Sequence, residues 1–243
     1  MDILSETAVS LTGSHTVREY LKSGLAAAEF LSHNPSLVTS AHISVKFGAA
    51  PVIAAERILA RCERCDVSVI PFSSDGYPAL LREILDPPIV LYCKGTIPSS
   101  PAVSIVGTRR SDRVSDRIAY RAAEELARAG LCVVSGMAIG IDRSAHLGAI
   151  DAGDTVAVLP HGIDLRSPVS NIDLYSRIDE IIGRGGHCAV ISEFPPGIRC
   201  YTWTFVRRNR IISGMSRATL VVKAPLRSGA MITARLAADQ GRE

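Results

Sequence analysis

The 243-residue sequence has no run of apolar residues that approaches the roughly 20 needed to cross a bilayer. Its first residues, which include Asp2 and Glu6, lack the basic start and apolar core of a signal peptide. The six cysteines are scattered, and several fall in apolar strand patterns, so they are expected to be reduced core thiols rather than a disulfide framework. These absences predict a globular, cytoplasmic protein with no membrane partner.

Carboxylates are missing from a long stretch toward the carboxyl end. Between Phe194 and Ala238 there are eight basic residues, seven of them arginine, and no Asp or Glu. The first 100 residues hold 8 Lys+Arg against 10 Asp+Glu, whereas residues 101–243 hold 19 against 14. A long run of one charge sign favours binding of a polyanion, and arginine suits forked phosphate contacts better than lysine does.

The pattern of apolar residues divides the chain into three parts. Residues 1–66 show helical spacing and predict a small helical (SAM-like) domain, with helices near 17–30, 36–47 and 50–62. Residues 67–100 read as a connector with short strands near 67–71 and 89–92.

From residue 101 to 243, strand and helix patterns alternate, which predicts an α/β domain: an extended Rossmann-like parallel sheet with helices on both faces. The predicted strands lie near 103–106, 131–134, 155–159, 188–191 and 218–222, and the helices near 112–129, 142–151, 171–182, 206–215 and 229–240.

Two strand-to-helix turns are suited to an anion. Each is a β-branched run that ends at a glycine: VSIVGTRR at 103–110 and VVSGMAIGID at 133–142. Backbone amides and a helix N-terminus at such turns face the carboxyl edge of the sheet, where parallel sheets bind their ligands. The acid that a dinucleotide site needs about 20 residues past its first glycine is missing. A phosphate chain is therefore favoured over NAD, and no cofactor is expected.

Purely structural interpretations of the same residues remain open. Glycines at strand ends are often only turn residues, and Phe205 also fits a core position. Arg208 and Arg210 are also compatible with a structural role as braces that hold Glu193 or Asp164 across loops.

The sequence predicts no metal site. Asp142 and His146 stand four residues apart without a third ligand, so Asp142 is expected to be a helix N-cap. Cys62 and Cys65 form a CxxC motif that has no second pair.

Motifs in one order and spacing resemble the bacterial DNA-processing protein A family (DprA, also called Smf). They are DGYPALLREILDPPIVLYCKG, VGTRR, SGMAIGIDRSAH, GID followed by SPVSN, SEFPPG, RRNRIISGMS and SGAMITARLAADQGRE, which together fall within residues 67–243. The resemblance implies a Rossmann-like domain that binds single-stranded DNA and forms a homodimer. It also implies that the protein protects incoming strands and loads the RecA recombinase in natural transformation, with no known catalytic step.

The resemblance also implies site residues. Gly107, Thr108 and Arg109 match a strand-end Gly-Ser-Arg that touches the DNA backbone, and Phe205 with the RNR of residues 208–210 matches an aromatic-plus-RNR helix start. Amides of the two glycine turns are expected to hold phosphates, arginines to neutralise them, and aromatic rings to stack on bases. The predicted DNA-binding residues are Gly107, Thr108, Arg109, Arg110, Gly136, Met137, Ala138, Arg166, Trp203, Phe205, Arg208, Asn209 and Arg210.

The sequence departs from the family pattern at several positions. The usual Tyr-Pro-Lys is Ser-Pro-Val at 167–169, which removes a basic contact that Arg166 is expected to replace. Lys223 stands where a glutamate is customary. The resemblance implies another strand and a glycine-rich turn beyond Glu243, so the chain is expected to be a fragment with an incomplete sheet edge.

Two other functions compete with DNA binding. A Rossmann variant that hydrolyses nucleoside monophosphates uses similar phosphate loops, but its Pro-Gly-Gly-x-Gly-Thr turn and the glutamate close behind are missing. The other alternative is a RecA interaction module with a vestigial pocket. Binding of single-stranded DNA without catalysis is the function that we expect.

Overall fold

The computed structural model describes residues 3–11, 14–23, 25–33 and 51–243. The chain divides into two compact units, one comprising Met1–Tyr77 and Asp86–Tyr92, the other Pro78–Leu85 and Cys93–Glu243. Residues 67–100, the predicted connector, are shared between the two units. No helix in the described ranges is long and apolar enough to cross a membrane.

The first unit is mainly helical. Its elements are α1 (Ile3–Ser10), α2 (Ser14–Ser23), α3 (Ala27–His33), α4 (Pro51–Arg64) and β1 (Ser68–Pro71), which neighbours strand β2 (Val90–Gly95). The rings of Tyr20 and Phe30 meet edge to face at 5.4 Å in its core.

Sequence patterns predicted these helices unevenly. The prediction of α4 near 50–62 is confirmed, but that of one helix over 17–30 is wrong, because α2 ends at Ser23 and α3 begins at Ala27. Helix α1 was not predicted, and the helix predicted over 36–47 lies outside the described residues.

The second unit alternates strands and helices, as the sequence predicts. Its elements are α5 (Ala79–Arg82), β3 (Ala102–Gly107), α6 (Arg113–Arg128), β4 (Cys132–Ser135), α7 (Ile141–Ile150), β5 (Thr155–Leu159), α8 (Ile172–Gly183), β6 (Cys188–Ser192), α9 (Thr202–Gly214), β7 (Ala218–Val222) and α10 (Gly229–Asp239). The largest difference is at α9, which begins four residues before its predicted start at 206. Thr204 accounts for this early start, because its Oγ1 accepts a hydrogen bond from the Tyr201 amide at 3.0 Å.

The strands of the second unit follow the order β2-β6-β5-β4-β3-β7. The pairs β3–β4, β3–β7, β4–β5 and β5–β6 are parallel, so the predicted α/β class is confirmed. From β3 to β6 each strand is added on the same side, whereas β7 returns to the other side of β3. Since crossovers between parallel strands are right-handed, this reversal sends helices to opposite faces of the sheet.

Helices cover the two faces in pairs. Helix α6 packs on α7, and α9 packs on α10. Alanines at every fourth position of α6, including Ala119 and Ala123, allow a close approach to α7, and they join Ile105, Val133 and Val222 of the sheet in one buried cluster. Helices on opposite faces leave a crevice at the carboxyl end of β3, where ligands of such sheets bind.

Candidate functional site

The first predicted turn follows β3 at Gly107. A Cβ at Gly107 would lie 2.1 Å from the carbonyl oxygen of Val222 in β7, so glycine is required for this close approach. The Thr108 amide donates to the Lys223 carbonyl at 3.0 Å, and the Arg110 amide donates to Oγ1 of Thr108 at 3.1 Å. Among the residues that the structure describes, none accepts a hydrogen bond from the amide of residue 109. That amide is therefore open to a ligand.

The second predicted turn, at residues 136–138, already holds an anion, the Asp142 carboxylate. This carboxylate accepts hydrogen bonds from the amides of Gly136 and Ala138, the latter at 3.4 Å. The N-cap of α7 is Gly140, so the prediction of Asp142 as the N-cap is wrong, and Asp142 lies instead in the first turn of the helix. The place that the sequence assigned to a phosphate at these amides is therefore taken by a buried side chain of the chain itself.

Arg208 is the counterpart of this buried carboxylate. Its Nη1 donates to the carbonyls of Gly136 and Val158 at 2.5 Å each, and its Nε donates to Oδ1 of Asn209 at 3.2 Å. A Cβ at Gly136 would lie 2.2 Å from Nη1, so this glycine makes room for the guanidinium. Arg208 is only 4% exposed, and the structure places it as a brace between the β4 turn and β5 rather than at the surface.

Burial shifts the pKa values of both Arg208 and Asp142. Burial lowers the pKa of Arg208 to about 10, although the nearby Asp142 carboxylate favours the charged guanidinium. Burial also raises the pKa of Asp142, against the opposing effect of Arg208. Arg208 therefore stays protonated at neutral pH and remains the internal counter-charge of this turn.

Arg210 is a second brace, and its partner is Glu193, one of the two acids considered from the sequence. Arg207 joins the same carboxylate, with Nε at 3.0 Å and Nη2 at 2.8 Å, while Nη2 of Arg210 also donates to it. Burial acts to raise the pKa of Glu193, but the two arginines outweigh it and hold the pKa below its ordinary value. The middle of α9 is thus fixed to the loop after β6.

Arg109 and Phe205 form the accessible part of the site. The guanidinium carbon of Arg109 lies 4.7 Å from the ring centroid of Phe205, within the range of a cation–π contact. Arg109 is exposed and Phe205 is half-buried. Together they border a cavity of about 390 Å³ at the carboxyl ends of β3 and β7. The other lining residues are Val106, Gly107, Thr108, Ala138, Asp142, Val206, Arg208, Asn209, Ile212, Pro225, Ser228, Gly229, Ala230 and Thr233.

A second, smaller cavity of about 130 Å³ lies on the other side of the same stacked pair. It shares Arg109, Ala138 and Phe205 with the larger cavity. Its remaining lining residues are Gly136, Met137, Ile139, Pro160, His161, Ser167 and Pro168. Met137 is buried and has a left-handed backbone, with φ of +57°. The Arg109–Phe205 pair thus borders both cavities.

Four predicted residues line neither of these two cavities: Arg110, Arg166, Trp203 and Arg210, the brace described above. Arg110 is exposed beside Arg109. Arg166 forms an ion pair with Asp179 and lies 6.0 Å from the ring centroid of Tyr175, so its guanidinium is engaged elsewhere. Trp203 is half-exposed.

The indole of Trp203 packs on neighbouring rings at the start of α9. It meets Phe194 edge to face at 5.6 Å and stacks on Tyr201 at 6.4 Å. Asn209, another predicted residue, lines the larger cavity and donates from Nδ2 to the Gly229 carbonyl at 3.2 Å.

The predicted set omitted the start of α10, which faces the larger cavity. Ser228 is the N-cap, and its Oγ accepts a hydrogen bond from the Met231 amide at 3.4 Å. No described residue accepts from the amides of Gly229 and Ala230, the first two residues of the helix. The sequence carried the signal, since Ser-Gly follows the last strand pattern as a third strand-to-helix turn.

Neither a metal centre nor a reactive histidine emerges from the described ranges. They contain no group of three His, Cys, Asp or Glu side chains that could hold a metal ion. His146 is fully buried, and its Nδ1 lies 2.8 Å from Oγ1 of Thr155. Burial lowers the pKa of His146 to about 3. Its imidazole is therefore neutral at physiological pH, and it lines neither of the two cavities.

Comparison with known proteins relates this site to a family. The chain is 37% identical over 191 residues to DNA processing protein DprA of Bacillus subtilis, covering 77% of this chain and 62% of that protein. It is also 37% identical over 201 residues to protein Smf of Escherichia coli, covering 82% of this chain and 52% of that protein. The chain therefore spans less than two thirds of the length of these relatives.

Two solved structures show the same fold. DNA processing protein A from Streptococcus pneumoniae matches 93% of this chain and 73% of its own, with 30% identity and a TM-score of 0.68. DNA processing protein A from Helicobacter pylori, whose structure is described as giving insight into its unique single-stranded DNA binding mode, matches 72% of this chain and 78% of its own, with 30% identity and a TM-score of 0.62. The family model for DNA recombination-mediator protein A matches residues 68–243, and this chain therefore belongs to that family.

Proposed function

We propose that the cavity beside Arg109 and Phe205 binds the backbone of single-stranded DNA and that no bond is made or broken there. The observation that carries the proposal is the stacking of Arg109 on Phe205 at the mouth of a cavity that also faces the start of α10. The description of the Helicobacter pylori relative, which names single-stranded DNA, supports the same ligand for this chain.

A phosphate at this cavity would be held from two sides. Stacking on Phe205 uses only the face of the Arg109 guanidinium, so its N–H edge stays available for a charge-assisted hydrogen bond. The start of α10 offers the amides of Gly229 and Ala230 and the positive end of the helix dipole. The Arg109 amide is a further donor.

Bases would contact flat and apolar surfaces, and no specific hydrogen bonds would distinguish one base from another. Phe205 and the Arg109 plane can stack with any base, at about 1–3 kcal/mol per base. The smaller cavity beside them has Met137, Ile139 and Pro160 in its wall and would exclude water from a base or sugar. Sequence preference is therefore expected to be slight.

The whole protein's role is proposed on the same basis. We propose a cytoplasmic homodimer that protects incoming strands and loads the RecA recombinase in natural transformation. The family description as a recombination mediator supports this role. Because the chain spans only part of its relatives, the surfaces for RecA and for the second protomer belong to the proposal for the full-length protein.

The test is a titration of a labelled oligothymidylate, followed by fluorescence anisotropy. Arg109→Ala is expected to weaken binding about tenfold, since it removes one charge-assisted phosphate contact. Arg128→Ala is the matched control, because Arg128 is also exposed but pairs with Glu124 on α6. Equal affinity of Arg109→Ala and the unmodified chain would contradict the proposal.

The same titration distinguishes the competing functions. Nucleoside monophosphates and duplex DNA serve as competitors, and chromatography of the monophosphate samples detects any free base. Strong competition by a monophosphate with release of free base would favour the hydrolase. Absence of all oligonucleotide binding, with RecA binding retained, would favour an interaction module.

A further inference from the structure

An arginine stripe runs along the exposed face of α6. Arg113, Arg117 and Arg121 are spaced by four residues and are all exposed, so they lie on one side of the helix. Across the described part of the chain, none of the three lies within ion-pair distance of a carboxylate. The charges of this stripe are therefore available to an external anion.

The acids of the same helix are occupied or distant. Asp112 pairs with Lys223, Asp116 accepts from Oγ of Ser144 at 3.1 Å, and Glu124 pairs with Arg128. Glu125 is exposed one helical turn after Arg121, at the end of the stripe that is farther from the cavity. In the half of the helix nearest the cavity, the two acids Asp112 and Asp116 are engaged by Lys223 and Ser144, whereas the arginines of the stripe have no carboxylate partner among the described residues.

Aliphatic side chains border the stripe. Val114 is 69% exposed and Ile118 is 53% exposed on the same side of α6. A purely solvated helix face favours polar residues at such positions. The combination of guanidinium groups with exposed aliphatic groups suits a ligand whose charged backbone alternates with apolar rings.

The stripe is continuous with the candidate site. Arg113 follows Arg109 and Arg110 by only a few residues, and Arg110 is exposed without lining either cavity beside Phe205. Successive arginines of the stripe are about one helical turn, or roughly 6 Å, apart. Consecutive phosphates of an extended single strand are separated by a comparable distance.

We propose that α6 is a second contact surface for the same DNA strand, which leaves the Arg109–Phe205 cavity past Arg110 and runs along Arg113, Arg117 and Arg121. The inference rests on the proposed function of the cavity. An acidic protein segment would also be attracted to the stripe, but continuity with a phosphate cavity favours nucleic acid.

The test compares oligothymidylates of about 4 to about 20 nucleotides on the unmodified chain and on R113A/R117A/R121A. The shortest strand, which fills only the cavity, is expected to bind both proteins equally. The gain in affinity with length is expected to fall about tenfold or more in the triple variant. Its log–log salt slope for long strands should become less negative by about 2, from three lost phosphate contacts. Arg128→Ala is the control on the same helix, and circular dichroism checks that the helix is retained.

The outcomes separate this inference from the proposed function. Equal binding of both proteins at every length would overturn the inference and direct attention to a protein partner for α6. Equal weakening at every length would also overturn it, because a general loss of positive charge would explain that result. If Arg109→Ala binds every length as the unmodified chain does, the proposed function of the cavity fails, whereas a length-dependent loss in the triple variant would still support the role of α6.

Discussion

Two arginines that line the same cavity take opposite roles in this site. Arg109 is exposed and stacked on Phe205, whereas Arg208 is buried with carbonyl partners in the turn after β4 and in strand β5. The sequence predicted both as phosphate ligands, because residue type and spacing do not reveal which guanidinium finds internal partners. Burial therefore decides which cations of the basic run can meet a ligand.

Removal of the buried guanidinium should affect the fold more than binding. Arg208→Met is expected to lower the free energy of unfolding by about 3–5 kcal/mol, since it leaves the Asp142 carboxylate buried without its counter-charge. Urea unfolding measures this loss. Arg109→Ala is the comparison and should change stability by less than about 0.5 kcal/mol, since Arg109 is exposed. A similar loss in both variants would refute the assignment of Arg208 as a brace.

His146 should remain neutral far below its usual titration range. Burial lowers its pKa to about 3, whereas the unfolded chain takes up the proton near pH 6.5. The unfolded state therefore binds more protons between these values, and this residue makes the protein less stable as the pH falls from about 6.5 toward 3. NMR should show no titration of the His146 ring between about pH 7 and 5 in the folded chain, and titration in urea. A folded-state midpoint near 6.5 would contradict the buried, neutral ring.

The start of α10 contributes its N-cap and its first backbone amides to the larger cavity. Its N-cap Ser228 and the amides of Gly229 and Ala230 belong to a third strand-to-helix turn, which completes the larger cavity. Of the two turns singled out in the sequence, only the one after β4 differs from it, because that turn is occupied by Asp142. Three similar strand-to-helix turns thus differ in their amides: one turn is occupied by a side chain of the chain itself, and two have amides without an internal acceptor in the described part of the chain.

Substitution of this N-cap should separate stability from binding. Ser228→Asp retains a capping oxygen, so its stability is expected to stay within about 0.5 kcal/mol of the unmodified chain, whereas Ser228→Ala should cost about 1 kcal/mol. The carboxylate of Ser228→Asp would face the phosphate and is expected to weaken oligonucleotide binding more than Ser228→Ala does. Thermal unfolding and anisotropy titrations measure the two effects. Stronger binding to Ser228→Asp would exclude a phosphate at this helix start.

Strands and helices after residue 101 could be predicted closely because their signals are local. Buried β-branched runs such as β5 and β6 mark the sheet, and the helices between them have turn residues at both ends. The short helices α1 to α3 carry too few turns for a clear period, and only their packing defines them. Side-chain partners across loops could not be predicted either, because the spacing of apolar residues carries no information about them.

For the molecule as a whole, the net charge overstates the positive charge that is left unpaired in the fold. Residues 101–243 hold 19 basic against 14 acidic residues, yet Arg207 and Arg210 share Glu193 inside the fold. The location of the site at the carboxyl ends of the strands could be predicted from topology. The number of free cations could not, because it depends on pairs that form only in the folded chain.

Salt dependence should report this smaller number of contacts. A short oligothymidylate with two or three phosphate contacts at the cavity is expected to show a log–log slope of about −1.4 to −2.1. A strand long enough to reach α6 adds three contacts and should approach about −4. Titrations at several salt concentrations give both slopes. A short-strand slope near −4 would mean that cations other than Arg109 and its neighbour Arg110 contact the short strand.

The carboxylate of Asp142 gives the amides of the turn after β4 a permanent hydrogen-bond acceptor. Because it satisfies the amides of Gly136 and Ala138 from within, these groups keep their acceptor whether a strand is present or has departed. The turn after β4 therefore needs no bound ligand for its stability. In the proposed DNA-binding function, a strand would therefore dissociate without leaving unpaired amides at this turn.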